Sequence, residues 1–380
     1  MKKKTLGYSF YVKVDDVPEG AWKIGTHRSI TMTFNFWKTL EQAKLKDIDY
    51  SYLVFFDEFE QPVAFVPSYT IRTDLAIFSS SYLKNTLGSI RKIFPNFFTL
   101  KILECGSPIT INTPQFVTKD GLDASLFLES LKKSLTRLAI KKRSLLIVVR
   151  DFESNKDINS FASIFSKLGF AWLPALPNTY LDIKWRSIDD YHNAMRSHYR
   201  NKLFKHFKRN KNVHYEVIDN FEHLSETLCT QWLNIHHKAK ELKREVLNPR
   251  FYTAISNNLG SQSKVILYYQ DNVLIAHVLL VKDNEMLRWL YVGRNRSEAN
   301  SLYFYIIDTI IETAIQMDVS KLEMGLTTYP IKTDFGAEIT PVNMAIRVTI
   351  PFVNFLLKPI FKLLYSAREY PKKRVFKQKN

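Results

Sequence analysis

The sequence predicts a mixed α/β protein of two related halves, each a mostly antiparallel sheet flanked by helices. Three observations lead there. A chain of 380 residues is longer than the roughly 250–300 residues that one hydrophobic core organises. Residues 264–326 alternate short apolar runs with polar turns and then switch to helical spacing. Residues 51–150 show the same order of elements, and an order repeated within one chain is the mark of duplicated units.

In the C-terminal half, KVILYY (264–269), VLIAHVLLV (273–281) and MLRWLYVG (286–293) read as strands joined by Asp271-Asn272 and KDNE. Turns this short make them an antiparallel meander. Leu302, Ile306, Ile310, Ala314 and Met317 then recur at three- and four-residue spacing, which marks one face of a helix with Ser297 or Asn300 as its cap. KLEMGL (321–326) returns as a strand. In the N-terminal half, SYLVFF (51–56), PVAFVPSYTI (62–71) and FTLKILECG (98–106) precede a helix containing Leu126, Leu131 and Leu138. SLLIVVR (144–150) is the strand after it.

Hydrophobic residues make up 46% of the chain, enough for packed cores, while 11 Gly and 14 Pro are too few for long low-complexity tracts. Cys105 and Cys229 form no CxxC or Cys/His grouping, so neither a disulfide framework nor a metal site is expected, and a reducing cytosol fits. The start MKKKTLGYSFYVKVDD has the charge of a secretory leader without its apolar core. The best apolar stretch, Val348–Tyr365, is broken by Pro351, Lys358, Pro359 and Lys362, so it is not expected to span a membrane. No P-loop, dinucleotide fingerprint, HExxH helix or nucleophile elbow is present. His277, inside an apolar strand, reads as a core histidine, and His236-His237 as surface residues.

Lys and Arg number 54 against 37 Asp and Glu, a net charge of +17 that raises the local concentration of anionic partners. The excess lies mainly in 196–211 and 358–379. Ser187–Lys211 reads as one helix with Ile188, Tyr191, Met195, Tyr199, Leu203 and Phe207 on its apolar face. Its other face carries Arg196, Arg200, Lys202, Lys205, Lys208, Arg209 and Lys211. Like charges four apart repel, so this face meets either solvent or an anion: nucleic acid, acidic lipid, an acidic carrier protein or a phosphorylated substrate.

Residues 287–338 combine a strand ending Tyr291-x-Gly293, a helix with aromatic residues near its start, a strand ending Glu323-x-Gly325, and Lys332-x-x-Phe335-Gly336. Further elements are FNFWKTLEQA (34–43), AFVPSY (64–69), LGFAWLPALPNTYLDIKW (168–185) and YHNAMRSHYRNKLFKHFKR (191–209). In this order, and over nearly the whole chain, they resemble the GNAT-superfamily domains of Fem-type peptidoglycan aminoacyltransferases and related peptidoglycan biosynthesis/recognition proteins. The resemblance implies tandem GNAT-like domains, here 1–185 and 186–347, the second carrying the active site; the residues of 348–380 read as a basic amphipathic tail. It also implies transfer of an acyl or aminoacyl group to an amine. Acyl-CoA, acyl carrier protein or aminoacyl-tRNA would be the donor substrate, with no cofactor tightly bound. One departure bears on the donor: RNRSEANS (294–301) lacks the glycines that let backbone amides close on a pyrophosphate. Coenzyme A in its usual mode is therefore in doubt, and aminoacyl-tRNA, which Fem-type enzymes use, stays open. A catalytically inactive binding module for an anionic polymer, nucleic acid or envelope precursor is the alternative.

Acyl transfer needs a neutral amine nucleophile, a group that polarises the carbonyl and an acid for the leaving group. Lys332, in the loop TTYPIKTDFG, could stabilise an oxyanion or a substrate phosphate. Glu323 could accept the amine proton, or else be a strand-end carboxylate paired with a lysine. Tyr291, at the end of its strand, could protonate a leaving thiolate or alkoxide. Arg196, Arg200, Lys202, Lys208 and Arg209 would hold a polyanionic donor, and Arg294, Asn295, Asn300 and Tyr303 would line it at the strand-to-helix junction.

In the tail, Phe352, Phe355, Leu356, Ile360, Leu363 and Leu364 accompany Lys358, Lys362, Arg368, Lys372, Lys373, Arg374 and Lys377. Apolar and basic residues so mixed suit the inner, anionic face of a membrane. Packing of the apolar face onto the C-terminal domain would serve them equally.

Overall fold

The computed structural model describes residues 6–74, 88–94, 97, 99–109, 112–153, 158–239, 244–295, 300–357, 359 and 370–377. Strands β1 (Gly7–Tyr11), β2 (Asp49–Phe56), β3 (Pro62–Asp74) and β4 (Thr99–Cys105) pair antiparallel in succession. Helix α1 (Glu19–Lys23) and helix α2 (Phe34–Ala43) lie between β1 and β2. Thr33 caps α2 by accepting from the Phe36 amide, and Phe36, Trp37, Leu40 and Ala43 form the buried stripe. The two-residue strand β5 (Val117–Thr118) pairs with β3. Helix α3 (Ala124–Lys141) then crosses over, and β6 (Leu146–Glu153) returns parallel to β4. Helix α4 (Ile158–Lys167) and β7 (Ala171–Pro174) complete this half.

The C-terminal half opens with β8 (Asn178–Asp182), helices α5 (Ile188–Ala194) and α6 (Ser197–Phe207), β9 (Val213–Ile218), and helices α7 (Ser225–Lys238) and α8 (Pro249–Leu259). The expected meander follows as β10 (Ser263–Gln270), β11 (Val273–Asp283) and β12 (Met286–Arg294). Helix α9 (Asn300–Gln316) leads to β13 (Lys321–Glu323), parallel to β12. Helix α10 (Tyr329–Asp334), β14 (Glu338–Thr340) and β15 (Val342–Val348) come last.

The two sheets run β1-β2-β3-β4-β6-β15-β7 and β14-β8-β13-β12-β11-β10-β9. Each therefore takes one strand from across residue 185. β8 fills the place between β14 and β13, and β15 the place between β6 and β7. A cut between 185 and 186 would strip each sheet of a strand that satisfies two hydrogen-bonding edges.

The halves share a core: Trp22, Trp37 and Tyr52 pack in one apolar cluster with Trp232, Phe251, Tyr252 and Leu279. Polar ties cross beside it. Asp283 accepts from Ser29 Oγ (2.8 Å) and the Ile30 amide (2.7 Å), and Arg244 bonds Glu104. His277 is a satisfied core histidine, bonded to Gln231 (2.8 Å) and Tyr252 (3.1 Å), and burial pushes its pKa down to about 3.

One expectation is corrected. The segment 187–211 is not one helix, because Met195 and Arg196 are extended, with ψ of 147° and 143°. Their backbone is taken up by the C-terminal segment: the Arg196 amide donates to Val375 O (2.8 Å) and the Lys377 amide to Ala194 O (2.9 Å). Of the stretch 348–380, two parts are described. Pro351–Leu356 is a 3-10 turn whose Val353 packs on the N-terminal half beside Leu146 and Val348. Residues 370–377 run along the C-terminal half, with Val375 buried and the Phe376 ring 4.9 Å from Trp185. Ser297, Lys358, Ile360, Lys362, Leu363, Leu364 and Arg368 lie outside the described residues. Among the described residues no helix is long and apolar enough to cross a membrane, and no His, Cys, Asp and Glu side chains group to hold a metal ion.

Candidate active site

β12 and β13 pair only over Met286–Arg288 with Lys321–Glu323. Past Glu323 the chain turns away: the Met324 amide donates to Thr179 O of β8 (2.8 Å), and Gly325 turns at φ +72°. Among the described residues β12 has no paired strand on that side from Trp289 onward, which leaves a gap in the ladder between the two strands. On its other side a bulge inserts Leu290 between the pairs Leu279–Tyr291 and Leu280–Trp289. Such a bulge re-aims side chains. Trp289 joins the cluster under α9, whereas Leu290 and Tyr291 join the core shared by the two halves.

The loop beside the gap is strained. Thr327 and Thr328 sit at φ +65° and +46°, a region that β-branched residues avoid because Cβ crowds the backbone carbonyl. Strain of this kind persists only where surroundings over-determine it. Here Thr328 Oγ1 meets Tyr303 OH (2.8 Å), Thr179 Oγ1 donates to Gly325 O (2.5 Å), and Tyr329 OH donates to Pro177 O (2.8 Å).

On α10, Lys332 is 2% exposed. Its Nζ donates to Leu326 O at 2.6 Å and lies 5.5 Å from the Trp289 ring centroid. Burial pushes its pKa down to about 7, against the pull of the Glu323 charge. Tyr303 flanks Trp289 at 5.8 Å, and the Arg294 guanidinium stands 5.8 Å over the Tyr303 ring. Burial pushes the Tyr303 phenol up to about 12. Beyond α10, Asp334 receives Lys202 (2.6 Å) and Lys373 (2.7 Å). The tail adds Tyr370 against Tyr329 (4.6 Å) and Lys373 Nζ on Pro330 O (2.7 Å).

Glu323 is buried in a polar chain rather than paired with Lys321. It accepts from Asn178 Nδ2 (2.7 Å) and from Arg288, which also holds Asp283 (2.7 Å). Burial raises its pKa while Arg288 holds it back. Lys321 instead lies 4.4 Å over the Tyr180 ring.

The residues picked out from the sequence thus fall into groups. Lys332, Tyr303 and Arg294 gather at the gap, and Glu323 acts on Lys332 through its charge. Tyr291 does not join them. The bulge turns it to the other face, where its hydroxyl donates to Glu245 (2.7 Å) between Trp232 and Phe251. Asn295 is tied to Gln231 (2.9 Å) and Leu274 O (2.8 Å). Asn300 begins α9. Arg196, Lys202, Lys208 and Arg209 are exposed along α6 and its end, Arg200 half-buried. Of these, Lys202 reaches the site, through Asp334.

Sequence reasoning missed Arg288, Asn178, Trp289 and Thr328. Arg288 had a signal: a cation inside the apolar run MLRWLYVG needs buried partners. Two surface concavities lie elsewhere. One of about 370 Å³ is lined by Trp22, Phe34 and Asp283, the other of about 610 Å³ by Val217, Lys264 and Met317.

No family model matches the sequence. The curated relative "Putative 8-amino-7-oxononanoate synthase 2" of Mycobacterium tuberculosis is 27% identical over 329 residues, 83% of this chain. The chain spans only 42% of that relative's length, so the synthase activity in its name belongs to a much longer protein. Among solved structures, FemX superposes with a TM-score of 0.55 at 11% identity, covering 94% of this chain and 99% of FemX. A tandem GNAT protein from the clavulanic acid biosynthesis pathway gives 0.54 at 9% identity, covering 91% and 99%. The chain has the tandem GNAT fold that FemX shares.

Proposed function

We propose that this chain is an N-acyl or N-aminoacyl transferase whose reacting centre is the gap between β12 and β13. The observation that carries the reading is Lys332, a buried amine on α10 with a pKa near 7, bonded to Leu326 O of the strained loop where two paired strands part. A general base works best with a pKa near the operating pH. Neutral Lys332 takes the proton from the attacking amine as its nitrogen bonds to the donor carbonyl. The resulting ammonium then faces the tetrahedral oxyanion and returns the proton to the leaving thiolate or alkoxide as the old acyl bond breaks. Glu323 is a positioning residue that raises the basicity of Lys332 through its charge.

Acyl-CoA, acyl carrier protein or aminoacyl-tRNA would present the acyl group, with its phosphates toward Arg196, Arg200, Lys208 and Arg209. The clavulanic-pathway relative is described without AcCoA, which suggests that acyl donor as a first trial. The turn after β12 has no glycine, which favours a donor gripped by side chains. Native mass spectrometry against the three donors would identify it. With that donor, Lys332→Met should lower turnover roughly 10²–10³-fold, as loss of one positioned group at the reacting centre does, and unchanged turnover would overturn the assignment. The packing of Trp289 on Tyr303 beside Lys332 favours a second reading, a module that binds without reacting. Tight donor binding with no product would support it.

A further inference from the structure

One end of the N-terminal sheet carries apolar side chains from three separate segments. Strands β3, β4, β6 and β15 all terminate there, since Asp74 pairs with Thr99, and Leu146 with both Ile102 and Val348. Ile93 and Phe94, on the segment leading into β4, are 75% and 63% exposed. Arg91 anchors that segment, bonding Asp74 at 2.7 Å and Phe97 O at 2.9 Å. Ile140 and Leu145, at the turn from α3 into β6, are 65% and 44% exposed. Phe355 and Leu356, past β15, are 74% and 39% exposed. Backbone bonds tie the last two segments to each other and to β4: the Thr349 amide donates to Leu145 O (2.9 Å), and the Leu145 amide to Lys101 O of β4 (3.3 Å).

We infer that this end of the sheet is a docking surface for an anionic lipid bilayer. The patch has a cationic rim: Lys92, Lys141, Arg143 and Lys167 are exposed around it. The acids on these strand ends, Asp74 and Asp49, are engaged by Arg91 and Lys101. Apolar insertion and basic headgroup contact are the two terms that together hold a peripheral protein on a membrane. A second copy of the chain fits poorly, because a two-fold interface would set one cationic rim against its own image. The side chains also stand on separate loops, which suits a fluid surface better than a shape-matched protein groove. This inference does not depend on the chemistry at Lys332.

The test is flotation of the full chain with phosphatidylcholine vesicles, with and without phosphatidylglycerol. Binding should need the anionic lipid and weaken with salt. Ile93→Ser/Phe94→Ser/Phe355→Ser, all at exposed positions, should keep the circular dichroism and melting temperature and lose at least about tenfold in affinity. Lys92→Glu/Lys141→Glu/Arg143→Glu should lose roughly fivefold or more per site. Absence of binding to anionic vesicles, or equal binding by folded variants, would overturn the proposal. So would a dimer of the wild-type chain that the apolar variant dissolves.

Discussion

Arg244 of the C-terminal half bonds both carboxylate oxygens of Glu104 in the N-terminal half through one nitrogen, at 2.8 and 2.7 Å. Glu104 also accepts from Tyr69 OH (2.5 Å) and Arg150 (3.4 Å). One buried acid therefore faces two guanidinium groups, and the partners are not equivalent, because Arg150 also pairs with Asp151 at 2.8 Å. Glu104→Gln removes the carboxylate that Arg244 bonds, leaving that buried cation uncompensated, and should cost about 3–5 kcal/mol. Arg244→Met leaves Glu104 with Arg150 and Tyr69 and should cost less. Urea denaturation of the two variants checks the order, and equal losses would contradict it.

Lys332→Met should stabilise the protein while it removes the proposed base. An ordinary lysine titrates at 10.5, and in the fold this one titrates at about 7. Below pH 7 both states hold the proton, and the folded state bears the whole cost of a buried charge. Between 7 and 10.5 only the unfolded state is protonated, so stability rises with pH. Above 10.5 the cost is gone. The gain from Met should be on the order of a few kcal/mol at pH 6 and fade toward pH 10. Melting temperatures across that range would show it, and a pH-independent difference would refute the burial argument.

Glu323→Gln tests the coupling to Lys332. The Glu323 charge raises the Lys332 pKa, so its loss should move the acidic limb of the pH–rate profile to lower pH. Arg288 keeps Asp283 as a partner, and the variant should still fold. An unmoved limb in a folded variant would show that the two groups do not communicate.

Gly336→Ala should release the tail. Gly336 has φ +86°, and a methyl there would come within 2.3 Å of the Phe376 ring. Trypsin should cut at Lys372 and Lys373 several-fold faster than in the wild type. Wild-type cleavage rates would mean that Phe376 does not pin the segment.

The meander of β10 to β12 and its counterpart β2 to β4 were legible because alternation and short turns are local signals. The exchange of β8 and β15 was not, because the neighbours of a short strand are chosen by edges far away in sequence. The break at Met195 was hidden for the same reason: Val375 and Lys377 hydrogen-bond its neighbours Arg196 and Ala194. Lys332 was picked from its place between a proline and a glycine and from the family resemblance. The left-handed Thr327 and Thr328 had no signature, since Gly or Asn is the usual mark of that conformation. Tyr291 was placed with the wrong group because one bulge residue, Leu290, reverses the face it is on.

The exchanged strand β15 also sets an order of events during synthesis. Its place between β6 and β7 stays vacant until Val342–Val348 is made, long after β7 ends at Pro174. At translation speeds this interval is on the order of ten seconds. Throughout it, the nascent chain carries two open strand edges around a missing neighbour, the condition that chaperones recognise and that aggregation exploits. The N-terminal half cannot finish folding as it leaves the ribosome, and the last strand to arrive closes it.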